Sequence, residues 1–200
     1  MDAPRVNLWG RRVALGPLHL GLLPVLTRWE NDPRTIELGG DEFQPVTEEV
    51  VRARLEPLLR GERAGWHGFA IYALPDLRPI GVANVRDVGT PHRTAEFGIT
   101  IGDPADRGRG YGAEATRVLL RYAFDELGVH TMLLDTVSVN PAAIGAYQRA
   151  GFREIGRIRQ ARRIGGIVAD VVLMECLARE FPAEAATAGK PRQIATNSAH

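Results

Sequence analysis

The stretch from Thr94 to Leu127 constrains this chain more than any other. Residues 94–101 (TAEFGITI) are mostly small and apolar, which predicts a strand with one acidic residue, Glu96, inside it. Residues 102–112 (GDPADRGRGYG) carry Gly108, Gly110 and Gly112, with Arg107 and Arg109 interleaved. Residues 113–127 (AEATRVLLRYAFDEL) predict a helix. Ala115, Val118, Leu119, Tyr122 and Ala123 recur at helical spacing and form one apolar stripe, while Glu114, Arg117, Arg121 and Asp125 fall opposite it. Strand, glycine-rich turn and helix together make an arrangement that binds phosphate. The first amides of a helix lack intrahelical partners and sit at the positive end of its dipole. Glycines let the backbone approach an anion closely at positive φ. Three spaced glycines alone leave the alternative open of a plain turn with solvated arginines.

Two familiar phosphate loops do not fit. A Walker A loop needs Gly-Lys-Ser/Thr at the helix start, and none is present. The dinucleotide fingerprint spaces its last two glycines three apart, whereas these alternate.

The remaining elements follow in order. Residues 11–15 (RRVAL) predict a first strand broken by Gly16-Pro17, and residues 18–30 have helical spacing around Pro24. Residues 31–46 are loop-like, with Gly39-Gly40 as the most flexible point. Thr47 is placed to cap a helix through EEVVRARLEPLLRGE, with Pro57 interrupting or kinking it. Strands are expected at 68–74 and 79–88, which with 94–101 make an antiparallel meander. A strand at 131–139 after the helix implies a local parallel crossover. Asn140-Pro141 opens a short helix closed by Gly151, and Gly165-Gly166 turns a final hairpin. Residues 1–182 form one domain, and the Ala-, Thr- and Ser-rich residues 183–200 are expected to be a disordered tail.

The loop matches the pattern Arg/Gln-x-x-Gly-x-Gly/Ala, here Arg107-Gly108-Arg109-Gly110-Tyr111-Gly112. A second block, VSVNPAAIGAYQRAGFREIG, has Asn140 just after a strand, Tyr147 seven residues on, then Gly151-Phe152. Together these blocks resemble the GNAT family of N-acetyltransferases, and the order of elements extends the likeness over residues 5 to 178. The start of the chain and RWENDP (28–33) further resemble the ribosomal-protein N-terminal acetyltransferases, though less specifically.

The resemblance implies an α/β (α+β) acetyltransferase fold, a mixed and mostly antiparallel sheet with helices on both faces. It implies acetyl-CoA as cosubstrate, its pyrophosphate on Arg107, Gly108, Arg109, Gly110, Tyr111 and Gly112. The pantetheine arm would lie like an added strand between splayed strands, bonded near Ile101 and by Asn140. Tyr147 is the candidate general acid toward the leaving thiolate, or else a core tyrosine sharing a face with Ile144. Glu96 is the candidate base if its side chain is inward and desolvated, or else a solvated carboxylate paired with an arginine.

The implied reaction is acetyl transfer to a primary amine, either a protein N-terminus or a small amine such as an aminoglycoside or polyamine. A non-catalytic acyl-CoA binding module is the alternative of another class. The family's acceptor pockets use the 31–47 region and the last hairpin, and neither carries a diagnostic motif here.

Composition narrows the rest. A net charge of +1 makes nucleic acid an unexpected partner, so Arg153, Arg157, Arg159, Arg162 and Arg163 are expected on a solvated hairpin face rather than a nucleic-acid site. The single cysteine, Cys176, lies in an apolar run and is expected in the core, in keeping with a cytoplasmic protein. The five histidines lack metal-ligand spacing, no metal is expected, and no apolar run reaches membrane-spanning length. Trp29 and Trp66 are expected in the core, with an acceptor pocket as the alternative. Oligomeric state stays open, a homodimer included.

Overall fold

The computed structural model describes residues 4–182, so the expected tail at 183–200 lies outside the described residues. Eight strands form one sheet: β1 (Leu8–Trp9), β2 (Val13–Pro17), β3 (His67–Ala73), β4 (Arg78–Arg86), β5 (Thr94–Ile101), β6 (Thr131–Val137), β7 (Arg153–Ile164) and β8 (Ile167–Leu177). Their spatial order is β1-β2-β3-β4-β5-β6-β8-β7. Every pairing is antiparallel except β5 with β6. The helices are α1 (Leu23–Glu30), α2 (Pro33–Gly39), α3 (Glu48–Leu59), α4 (Tyr111–Asp125) and α5 (Pro141–Ala150).

The two faces of the sheet bury different sets of residues. Alternate residues of a strand point to opposite faces, and Ala95 and Phe97 of β5 join Met132, Leu134, Val172 and Met174 beneath α4. Ala115, Leu119, Leu120 and Ala123 of α4 are fully buried there, which makes its apolar stripe wider than the spacing alone predicts. On the other face Leu26 and Trp29 of α1 and Val51 and Leu55 of α3 pack on Ala70 and Tyr72. Cys176 is a core residue at 2% exposure, and burial pushes its thiol up to about 11, the expected state for a structural cysteine.

Two expectations are corrected. Residues 33–39 are not loop but helix α2. Asp32 caps it by accepting from the Arg34 amide, Pro33 supplies the first turn, and Gly40 at φ 91° closes it. The first strand does not stop before Gly16 either. β2 runs through Pro17, paired along β3, and a further short strand, β1, covers its outer edge.

One feature of the sheet matters most for a ligand. β5 and β6 pair only from Thr94 to Glu96 against Thr131 to Leu133. Beyond that point β5 stays with β4 as far as Ile101, and β6 stays with β8 as far as Val137. The facing edges of Phe97–Ile101 and Leu134–Val137 therefore diverge and leave a cleft through the sheet.

Candidate active site

The glycine loop stands at the wide end of this cleft. Gly108 and Gly110 take φ of 71° and 86°, a region closed to most side chains, and Gly110 is the N-cap of α4. The consequence is a run of donors. None of the backbone amides of residues 108 to 113 has a partner among the described residues; the first engaged amide is that of Glu114, which donates to the Gly110 carbonyl. Such a run at a helix N-terminus is an anion cradle.

Side chains brace the loop from outside. Arg78 makes a two-pronged contact with the buried Asp106 at 2.7 and 2.8 Å. That guanidinium holds the Asp106 carboxyl below its ordinary value. Arg12 donates to the Arg109 carbonyl at 2.9 Å and lies over the Tyr111 ring. Glu114 accepts from the amides of Arg11 and Arg12, fixing the β1–β2 turn to the first turn of α4. Arg109 itself is largely exposed and reaches Asp106 only at 4.0 Å, which leaves its guanidinium available to an anion.

Arg107 stands differently. Its side chain turns inward, donating to the carbonyls of Ile101 at 3.1 Å and Gly102 at 3.0 Å and to Thr35 Oγ1 at 2.5 Å. The Gly102 amide donates to the Ile80 carbonyl in β4, so the Ile101 carbonyl on the same peptide faces the cleft. Arg107 already occupies one of that carbonyl's lone pairs, and a carbonyl has two.

Asn140 caps α5 by accepting from the Ala143 amide at 3.1 Å, and its Nδ2 donates to the Leu38 carbonyl at 2.9 Å. Tyr147 is brought to the cleft from the α4–α5 face. Its ring packs edge-on against Phe97 and Phe152, at 6.2 and 6.0 Å between centroids. Burial, with a lesser contribution from the Asp135 carboxylate, pushes its phenol up to about 12.

Glu96 lies on the opposite face. Its side chain is 48% exposed and accepts from Arg86 Nε at 2.6 Å. The inward, desolvated carboxylate on which a strong base would depend is therefore not what the strand presents. By strand alternation Leu133, Asp135, Leu173 and Glu175 share this face, and beside Glu96 an open concavity of about 390 Å³ is lined by Asp87, Thr90, His92, Thr94 and Leu133. Tyr147 and Glu96 thus approach the cleft from its two sides.

Sequence reasoning missed Thr35, Gly102 and the role of Trp29. Thr35 is 6% exposed and bonded to Arg107 and Asp32. Trp29 lies flat over Gly102, so that a Cβ there would fall inside the indole. Gly102 follows the strand directly, but nothing local in the sequence tells that a tryptophan over seventy residues earlier covers it. Trp66 packs over Gly68 at the start of β3. The arginines of β7 are exposed as expected, with Arg153 on Glu180 and Arg157 on Glu154.

Known proteins resemble this chain in sequence and in fold. A sequence profile described as "Acetyltransferase (GNAT) domain" matches residues 12–153. A spermidine N(1)-acetyltransferase of Vibrio cholerae is 31% identical over 102 residues, which covers 51% of this chain and 58% of that protein. A Bacillus subtilis protein, YdaF, provisionally named a ribosomal N-acetyltransferase, is 27% identical over 140 residues, covering 70% of this chain and 76% of its own. Among solved structures, the Vibrio cholerae spermidine N-acetyltransferase in complex with CoA and spermine superposes with a TM-score of 0.75 at 23% identity, over 86% of this chain and 98% of that one. A Bacillus anthracis acetyltransferase gives 0.71 at 17% identity, over 88% and 99%. At such identities the structures speak for the fold. No helix among the described residues is long and apolar enough to cross a membrane.

Proposed function

The chain belongs to the GNAT acetyltransferase family, and from that premise we propose that it moves the acetyl group of acetyl-CoA to a primary amine, with a protein N-terminal α-amine as acceptor. The observation that carries the proposal is the run of unpartnered amides from 108 to 113 at the mouth of a cleft that runs through the sheet. The pyrophosphate would lie on those amides and on Arg109, and the pantetheine would pass along the free edge of β5 toward Tyr147. Asn140 already has both ends of its amide in use, so its part is to fix the wall of the cleft beside that arm.

Each chemical step has a candidate group. The attacking amine must be neutral, and an α-amine with a pKa of about 7.7–8.0 supplies enough free base near neutral pH. Glu96 and its neighbours draw the ammonium form to the open face, and its proton passes to water. The amine nitrogen then attacks the thioester carbonyl and gives up a second proton to water, the carbon–sulfur bond breaks, and the sulfur leaves with the electron pair. Tyr147, protonated throughout the neutral range, donates a hydrogen bond to that sulfur as charge develops. Full transfer from a phenol near 12 to a thiolate of about 8.5 runs uphill, so the proton that makes the free thiol comes finally from solvent. No covalent enzyme intermediate is needed.

A second acceptor class has its own support. Glu96, Asp135 and Glu175 share the open face and favour a polycation, in keeping with the spermidine acetyltransferases this chain resembles. One experiment tests both. Acetyl-CoA binding is measured by calorimetry, and CoA release is then followed across peptides of varied N-terminus and across spermidine and spermine. Binding without turnover on any amine would leave a coenzyme-binding module; no binding would end the proposal.

A further inference from the structure

Helix α2 is tied down at both ends by the residues that bracket the cleft. At its N-terminal end the Thr35 hydroxyl accepts from Arg107 Nη2, meets Asp32 Oδ2, and lies 3.2 Å from the Gly102 carbonyl. Arg107 in turn grips the Ile101 and Gly102 carbonyls and stands 3.6 Å from Asp32. The Thr35 hydroxyl is the chief cause of the Asp32 carboxyl lying below its ordinary value. At the C-terminal end the Leu38 carbonyl accepts from Asn140, the cap of the helix that carries Tyr147. Gly40 sits against Val137 at the end of β6. So α2 crosses from the end of β5 to the start of α5 over the widest part of the cleft. One end is anchored to the residue that opens the phosphate loop, the other to the cap of the catalytic helix.

A seven-residue helix has little stability of its own. Its position depends on these anchors, and the central one is a hydroxyl buried between an arginine and a carboxylate. We propose that Thr35 is a positioning residue that locks α2 across the cleft in step with the coenzyme loop, so that an occupied coenzyme site completes the wall the acceptor amine meets. This rests on the coenzyme reading of the loop. An anion on residues 108–113 holds the loop, the loop holds Arg107, and Arg107 holds α2 through Thr35. Binding energy spent on the coenzyme thereby orders the acceptor side.

The test uses the full chain and coenzyme A. In the wild type, coenzyme A should slow hydrogen exchange at the amides of Ile36 to Gly40 by about tenfold. Thr35→Val keeps the shape of the side chain and removes the hydroxyl. It should abolish that slowing, raise the KM for the acceptor by about tenfold, and leave kcat and the Kd for acetyl-CoA within about twofold. Thr35→Ser, which restores the hydroxyl, should restore both the protection and the KM. A merely structural threonine would lower stability without this split.

Coenzyme A that binds yet leaves exchange in α2 unchanged would overturn the role, as would a Thr35→Val protein with wild-type KM and protection. Failure of coenzyme A to bind the wild type would overturn the proposed function and this role with it. The wild-type exchange experiment needs no variant, so it decides the question even if Thr35→Val folds poorly.

Discussion

The two faces of the sheet meet at the same cleft and offer it opposite environments. On the α4–α5 side Tyr147 sits against Phe97 and Phe152, and burial drives its phenol upward. On the other side Glu96 stands in solvent beside Arg86, and Asp135 is exposed with it. Acyl transfer from a thioester to an amine has use for both. The developing thiolate gains most from a donor held in a dry place, where a hydrogen bond is stronger and needs no reorganisation. The amine arrives as a cation, and a wet acidic face admits it without the cost of desolvating a charge. The difference teaches that a tyrosine and a glutamate in one cleft need not form an acid–base pair of equal strength.

The largest effect is expected on the dry side. Tyr147→Phe keeps the ring and its aromatic neighbours and removes only the donor, so kcat should fall by about tenfold to a thousandfold while acetyl-CoA affinity and stability stay near wild type. The pH profile sharpens the point. Because the raised phenol keeps its proton up to about 12, kcat should show no descending limb as pH passes about 10, where an ordinary tyrosine ionises. Steady-state kinetics on a substrate for which chemistry limits the rate check both; wild-type kcat in the variant would return Tyr147 to the core.

Next in size is the loop that both faces depend on. Gly110 takes φ of 86°, and a β-branched residue there must either strain or turn the following amides away. Gly110→Val should weaken acetyl-CoA binding by about ten- to a hundredfold, the worth of one charge-assisted hydrogen bond or so. Calorimetry on a variant shown by circular dichroism to be folded makes the measurement, and unchanged affinity would remove the pyrophosphate from this loop.

A third variant separates what the sequence made legible from what it hid. Strand β5, the glycine loop and α4 could be read directly, because each is specified locally: a short apolar run, glycines at positive φ, an apolar stripe. The same holds for α5, whose cap, first-turn proline and closing glycine stand within the helix or next to it. Helix α2 could not. Its Asp32-Pro33 and Gly39-Gly40 signals are also those of a loop, and only Ile36 and Leu38 among its residues are large and apolar. Its position comes from distant partners, Arg107 and Asn140 among them. Nor could the outward turn of Glu96 be read, since one acidic residue in a short apolar strand fits either face. Gly102 shows the hidden kind of constraint most sharply. Gly102→Ala drives a methyl group into the Trp29 ring and should cost about 1–3 kcal/mol of stability. Denaturant unfolding tests it, and a neutral result would mean that α1 shifts freely over the end of β5.

The smallest effect is expected from Glu96, and it bears most directly on the contrast between the faces. An exposed carboxylate paired with an arginine contributes at most about 1 kcal/mol to holding a cation. Glu96→Gln keeps the shape and removes the charge, so the KM for a monocationic amine should rise by no more than about fivefold, with kcat unchanged. For a polycation the rise should be larger and should fade as salt is added, because screening weakens exposed charges first. The shape of the pH profile should stay that of the wild type, since the amine itself, not Glu96, sets the fraction of free base. A base role predicts otherwise: a loss greatest near neutral pH that shrinks as pH rises and neutral amine becomes abundant. A series of kcat and kcat/KM against pH for both proteins distinguishes the two. A loss in kcat confined to low and neutral pH would mean that the acceptor, once bound, covers Glu96 and makes this face as dry as the other.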